Sequence, residues 1–227
     1  MPSEHAHQFR PISLCNMYNK IFSRVLANRL KKVLPFIITE HQLAFTKDRL
    51  ISDNIMVAFE TLHCLQRYNS RTHGYMAVKL DMSKAYDRVE WAFLEGIMRR
   101  MGFNEGWIHL IILCVKTVIY SVLVNVEPYG MFHPTRGIRQ GDPLSPFVFL
   151  LCTEGLNGLI KKAERNGDIH GFSLCRRGPK LTHLLFVDDS LLFCKAIMEE
   201  CGKVLNMLSD YEDASGQKIN KQDGTFL

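Results

Sequence analysis

The chain has 227 residues, 47% hydrophobic and 22% charged, enough to bury a sizeable core as one large domain or two closely joined subdomains. It has no run of about 18 uncharged apolar residues to suggest a membrane span, and Met1 to Gln8 lack the apolar region of a secretory signal. The formal charge of +5 comes from residues 1–50, which hold eight Lys or Arg against three Asp or Glu, a surplus suited to phosphate backbones.

In chain order, a helix is expected from about Ser13 to Leu34, stopping at Pro35. It would place Phe22, Leu26, Leu30 and Val33 on one face and Lys20, Arg24 and Lys31 on the other. Such a charged face is either simply solvated or a nucleic-acid contact, and the pattern leaves both open. A second helix is expected over about residues 52–68. Tyr75 to Asp81 reads as a strand ending at a carboxylate, with Ser83 placed to cap a helix that reaches about Met101 and ends at Gly102. A helix over about Glu105 to Thr117 follows. Tyr120 to Val126 alternates as a strand, and Pro128-Tyr129-Gly130 would turn it toward a partner. A long helix should run from Pro143 to about Arg165, with Pro146 in its first turn. Strands around Phe172 and over Leu184 to Phe193, a helix over Met198 to Asp213 and a short strand at Ile219 complete the order. Seven cysteines without a C-x-x-C pair read as reduced thiols of an intracellular protein, and nine histidines form no ligand pattern.

The most informative segment is Phe186-Val187-Asp188-Asp189, two carboxylates at a hairpin between apolar runs. It is either a polar turn or a metal site, because a buried charge is costly unless paired or coordinated. Asp81 ends a second segment of the same character, 107 positions before Asp188. Three carboxylates meeting at a sheet edge would suit hard divalent cations, which take oxygen ligands. Two such ions about 3.5–4 Å apart can activate a hydroxyl and stabilise a leaving phosphate oxygen. Between these segments, residues 136–146 form a Gly- and Pro-containing loop with Arg136, Arg139 and Gln140 ahead of a helix. The loop is either a plain turn with solvated arginines or a close approach to a sugar-phosphate.

FRPISL, LDMSKAYDRVEW, RGIRQGDPLSP, LLFVDD and SGQKIN, in this order, resemble the reverse transcriptase domain of non-LTR (LINE-type) retrotransposons, most closely the plant versions. The resemblance extends from about Phe9 to Asn220. It implies an α+β polymerase palm, a small antiparallel sheet with helices on one face, over residues 75–227, with partial helical fingers over residues 1–74. It also implies an RNA-directed DNA polymerase using two Mg2+ ions, with Mn2+ as a possible substitute, and an RNA template, a DNA primer and deoxynucleoside triphosphates. The catalytic, metal-binding carboxylates fall on Asp81, Asp188 and Asp189. Arg10 matches the fingers arginine that contacts the triphosphate, and Gln140 and Gly141 match the motif that frames the nucleotide. Tyr86, five residues after Asp81, is either a core aromatic or, on the resemblance, the steric gate beneath the incoming sugar. Lys20, Arg24, Lys31, Lys47 and Arg49 are candidate template–primer contacts.

The chain departs from the pattern at two places. Asp48 stands where relatives read glycine, and Asp223 stands where they place a lysine implicated in handling the leaving pyrophosphate. Nothing matches a thumb, an endonuclease or an RNase H domain. Two alternatives are a catalytically inactive retroelement fragment that only binds nucleic acid, and a group II intron maturase-like enzyme.

Overall fold

The structure is a computed structural model describing residues 12–42, 51–68, 74–175, 178–187 and 189–220, with the backbone alone at residues 51, 53, 54 and 68. Helices α1 (Met17–Leu30), α2 (Leu34–Ile37) and α3 (Ile51–Tyr68) precede strand β1 (Tyr75–Asp81). Helices α4 (Ala85–Arg88), α5 (Trp91–Arg100) and α6 (Glu105–Lys116) follow, then a hairpin of β2 (Tyr120–Val124) and β3 (Glu127–Phe132). The long helix α7 (Ser145–Asn166) leads to β4 (Phe172–Ser173), β5 (Lys180–Leu181), β6 (His183–Phe186), β7 (Asp189–Lys195) and finally α8 (Met198–Ser215).

The central sheet is antiparallel with strand order β1-β7-β6, so the strand from the middle of the chain pairs with the hairpin from its end. Alternation divides its residues between two faces. Val78, Leu80, Leu185, Leu192 and Cys194 share a core with buried residues of α5, α6, α7 and α8. On the opposite face Ala77, Leu184 and Phe193 pack with Leu65 of α3. Farther along that second face stand Lys79, Asp81 and Asp189, none of them buried. The expected helices on one face are therefore joined by α3, which covers only the far end of the other. The end that α3 leaves uncovered among the described residues carries the acidic residues.

The N-terminal helices join the same core. Leu26, Ala27, Leu30, Leu34 and Ile38 are buried in one cluster with α6 and α7. Beyond α2 the chain runs beside β6: the Leu185 N–H donates to the His41 carbonyl (3.0 Å), and the Thr39 N–H donates to Glu154 Oε1 (2.9 Å). Beneath this junction His183, 1% exposed, is bonded to Asn157 (3.0 Å) and to Thr182 (2.9 Å).

Several expectations need correction. The first helix breaks at residues 31–33, and Pro35 opens α2 instead of ending α1, in keeping with the missing N–H that proline tolerates in a first turn. The buried face of α1 is Ser23, Leu26, Ala27 and Leu30, while Phe22 and Val33 are 49% and 41% exposed. Ser23 is drawn inward by a hydrogen bond to Asp142 (3.1 Å), which rotates the helix away from the purely apolar solution. Ser83 does not cap α4; Lys84 takes that place at φ 51°, and the Ser83 N–H donates to the Lys218 carbonyl (2.8 Å). The expected helix through Met101 is split, with extended Glu90 separating α4 from α5. The hairpin turns at Asn125 and Val126, and Pro128-Tyr129-Gly130 lies inside β3.

Candidate active site

The pairing of β1 with β7 sets Asp81 directly opposite Asp189. Phe186 and Asp189 pair at the mouth of the β6–β7 hairpin, and Val187 enters its turn at φ 52°. That left-handed conformation is what the first position of a tight primed turn requires, and a β-branched residue rarely adopts it. Asp188 lies outside the described residues. Like charges directly across a sheet repel. Here Lys79, two residues before Asp81 on the same face, places Nζ 3.5 Å from Asp189 Oδ1. Both side chains are about half exposed, so the pair contributes no more than about 1 kcal/mol.

The segment SGQKIN is built into the same site. The Asn220 N–H donates to the Asp81 carbonyl (2.8 Å), its Nδ2 donates to Asp81 Oδ2 (3.3 Å), and Ile219 bridges Met82 antiparallel. Glu212 of α8 anchors the segment by accepting from the Ile219 N–H (2.7 Å) and pairing with Lys218 (3.2 Å).

Tyr86 projects from the single turn of α4. It is partly buried, with its ring stacked on Phe149 at 5.0 Å and 10° between planes. Its carbonyl accepts from the Ile138 N–H (2.8 Å), which ties α4 to the loop that carries Gln140 and Gly141. The Gln140 carbonyl in turn accepts from the Ser13 N–H (2.9 Å). Tyr86, Gln140, Gly141 and the end of FRPISL are thus joined through main-chain bonds. A groove of about 750 Å3 opens beside them, walled by Ser13, Asp87, Tyr120, Arg136 and Gln140. Burial raises the Asp87 carboxyl above the usual range at this wall, partly countered by Lys84 and Arg88.

The loop's two arginines part company. Arg136 is half exposed and pairs with Glu90 at 3.5 Å. Arg139 is buried, 2.8 Å from Asp142, and donates to the Cys114 carbonyl (3.0 Å), so it faces the core and not a sugar-phosphate. Asp142 also accepts from the Leu144 N–H (2.8 Å), which shapes the entry to α7. Lys20 and Arg24 on α1 and Lys31 at its C-terminal end are exposed, and Lys31 sets Nζ 5.0 Å above the Phe147 ring. No described contact joins these three to Asp81 or Asp189. Arg10, Lys47, Asp48, Arg49 and Asp223 lie outside the described residues, as Asp188 does.

Asp81 and Asp189 offer hard carboxylate oxygens, with no thiolate or imidazole between them, a donor set that fits Mg2+ or Mn2+. Among the described residues no group of three or more metal-ligating side chains assembles. Sequence reading missed Lys79, although its two-residue offset from Asp81 announced the shared face. It also missed the Asn220 and Gln217 contacts, for which no local signal existed.

Residues 2–226 match the family model for reverse transcriptase, an RNA-dependent DNA polymerase. The chain belongs to the reverse transcriptase family. Members of this family use divalent metal ions. The domain is 27% identical over 218 residues to an uncharacterized 149 kDa protein of transposon TX1 from Xenopus laevis, covering 93% of this chain and 16% of that protein. It is 27% identical over 190 residues to the Pol polyprotein of the type-1 retrotransposable element R2 from Nasonia vitripennis, covering 82% of this chain and 17% of the relative. An uncharacterized mitochondrial protein of Arabidopsis thaliana is 47% identical over 68 residues, 30% of this chain and 56% of the relative. The chain therefore spans less than a fifth of the two retrotransposon proteins. A solved structure of telomerase from Candida tropicalis, in complex with a fragment of telomeric RNA, superimposes with a TM-score of 0.60 at 15% identity. That match covers 91% of this reverse transcriptase domain and 33% of the telomerase chain, and it shows the shared α+β fold. No helix among the described residues is long and apolar enough to cross a membrane.

Proposed function

We propose that this domain adds deoxynucleotides to a primer 3′ end while copying an RNA template, with residues 75–227 as palm and residues 1–74 as part of the fingers. The observation that carries the reading is the opposition of Asp81 and Asp189 at the end of the sheet that α3 does not cover, beside the helix of Tyr86. Asp81, Asp188 and Asp189 would hold two Mg2+ ions, which when bound lower the pKa of the attacking hydroxyl and neutralise charge on the phosphates. The protein's own part is positioning, on which phosphoryl transfer mainly depends. Tyr86 lies beneath the sugar and excludes a 2′-hydroxyl. Gln140 and Gly141 frame the nucleotide, and Arg10 contacts the triphosphate. Lys20, Arg24, Lys31, Lys47 and Arg49 meet template and primer backbones, contacts that weaken steeply with salt.

Primer extension on an RNA template with Mg2+ or Mn2+ tests the proposal. Asp188→Asn should abolish extension while circular dichroism shows an intact fold. Full activity in that variant overturns the assignment of the site. The second reading, a domain that binds nucleic acid without extending a primer, draws on Asp223 in place of the expected lysine. It is favoured if the chain shifts a primer–template duplex in gels but extends it only after Asp223→Lys.

A further inference from the structure

The helix that carries Tyr86 is one turn long, too short to hold itself together, because a first turn fixes many dihedrals for a single internal bond. It has no side-chain cap, and carbonyls of the turn and backbone groups of the two residues after it are bonded from outside. The Tyr86 carbonyl accepts from the Ile138 N–H, the Val89 carbonyl from the Gly137 N–H, and the Glu90 N–H donates to the Ser215 carbonyl. A further bond comes from a side chain: Gln217 Nε2 donates to the Ala85 carbonyl at 2.9 Å.

Two glycines permit this enclosure. A Cβ at Gly137 would stand 2.7 Å from the Asp87 carbonyl oxygen, and one at Gly216 would stand 2.5 Å from the Arg88 carbonyl oxygen. Both residues also have positive φ, 88° and 75°. The helix is gripped between residues 137–138 on one side and residues 215–217 on the other. The first side belongs to the loop that carries Gln140. The second opens the SGQKIN segment, whose Asn220 bonds Asp81.

Gln217 is 0% exposed, and its Oε1 has no hydrogen-bond partner among the described residues. A buried unpaired amide oxygen is a standing cost that an apolar residue of similar size would not carry. The side chain is therefore accounted for by its bond to the Ala85 carbonyl and not by packing.

We infer that Gln217 is a positioning residue for sugar selection, holding the Tyr86 ring at the height that excludes a 2′-hydroxyl. The inference rests on Tyr86 being the gate. Among the described residues Gln217 makes no hydrogen bond to Asp81 or Asp189, and its side chain acts through the α4 backbone. A displacement of about 1 Å in such a positioned group is enough to change rates by orders of magnitude.

The test compares matched deoxy- and ribonucleotide insertion by the unaltered chain, Tyr86→Ala, Gln217→Met and Gly216→Ala, under single-turnover conditions. Circular dichroism and hydrogen exchange over residues 85–90 are read on the same proteins. Tyr86→Ala should lower the deoxy-to-ribo preference most. Gln217→Met should lower it about tenfold, with faster exchange over residues 85–90, and Gly216→Ala should act in the same direction from the Arg88 side. A merely structural glutamine would slow both insertions by one factor and leave the ratio alone. That result, with the ratio still falling in Tyr86→Ala, overturns the inference and spares the gate. A ratio unchanged in Tyr86→Ala overturns the gate itself, and the inference falls with it.

Discussion

Asn220 grips Asp81 twice, through its main-chain N–H on the Asp81 carbonyl at 2.8 Å and through its side-chain amide on Oδ2 at 3.3 Å. The last described residue of the chain thereby restrains the carboxylate that ends β1. A donor on one oxygen fixes the carboxylate's orientation and leaves the other oxygen for a cation. Partners of this kind commonly tune metal affinity by about 10–100-fold. Asn220→Ala should weaken Mn2+ binding by about tenfold, as read by electron paramagnetic resonance of free Mn2+. An unchanged affinity would mean that Asp81 needs no such restraint.

The Arg139–Asp142 pair makes a different kind of claim. Both side chains are buried, at 8% and 3% exposure, and they lie 2.8 Å apart. Removing one partner leaves the other charge uncompensated, which costs about 3–5 kcal/mol, far more than losing an exposed ion pair. Arg139→Met should therefore lower unfolding stability in urea by that amount, whereas Arg136→Met, at the exposed Glu90 pair, should change it by less than about 1 kcal/mol. Equal effects would show that Arg139 is solvated and free to meet a phosphate.

The contrast between those arginines shows where sequence reading reached its limit. The strand ending at Asp81 and the hairpin at Asp189 were legible because alternation and apolar flanks are local signals. The direct opposition of the two carboxylates was not, because register depends on pairing between segments far apart in the chain. Arg136 and Arg139 look alike in sequence, and only the burial of Arg139 between the Cys114 carbonyl and an Asp142 held by Ser23 separates them. The same applies to α1. Its period was visible, but a buried serine turned the apolar face by part of a turn, leaving Tyr18, Ile21 and Val25 exposed. The break between α4 and α5 followed from a clamp whose two sides lie some fifty and some hundred and thirty residues downstream.

Two valines sit at positive φ, Val126 at 72° and Val187 at 52°. Each costs on the order of 1–2 kcal/mol relative to glycine at the same φ. Val126 is 90% exposed, so Val126→Gly sacrifices little burial and should stabilise the domain by about 0.5–1 kcal/mol. A rise in Tm of about 1–3 °C would follow. Val187 is partly buried against the core beside the carboxylates, so Val187→Gly loses packing that offsets the relief and should gain less. A larger rise for Val187→Gly would show that its side chain contributes nothing to the hairpin.

The junction between residues 39–42 and β6 should respond to acid through His183. Burial lowers its pKa to about 3, with smaller contributions from His41 and Lys161. The unfolded chain takes up this proton near pH 6.5, well before the folded chain does. The stabilisation is therefore complete above pH 6.5 and is lost as pH falls from there toward 3. Between pH 7 and pH 5 the loss should be about 2 kcal/mol. His183→Gln keeps polar groups for Asn157 and Thr182 but cannot take up the proton. Its stability should be lower at pH 7 and fall less on acidification, with His41, also lowered by burial, supplying the remaining slope. Urea unfolding of both proteins at pH 7 and pH 5 measures the difference. Parallel losses would show that His183 is protonated in the folded protein over this range, and that the junction admits water where the structure shows a closed network.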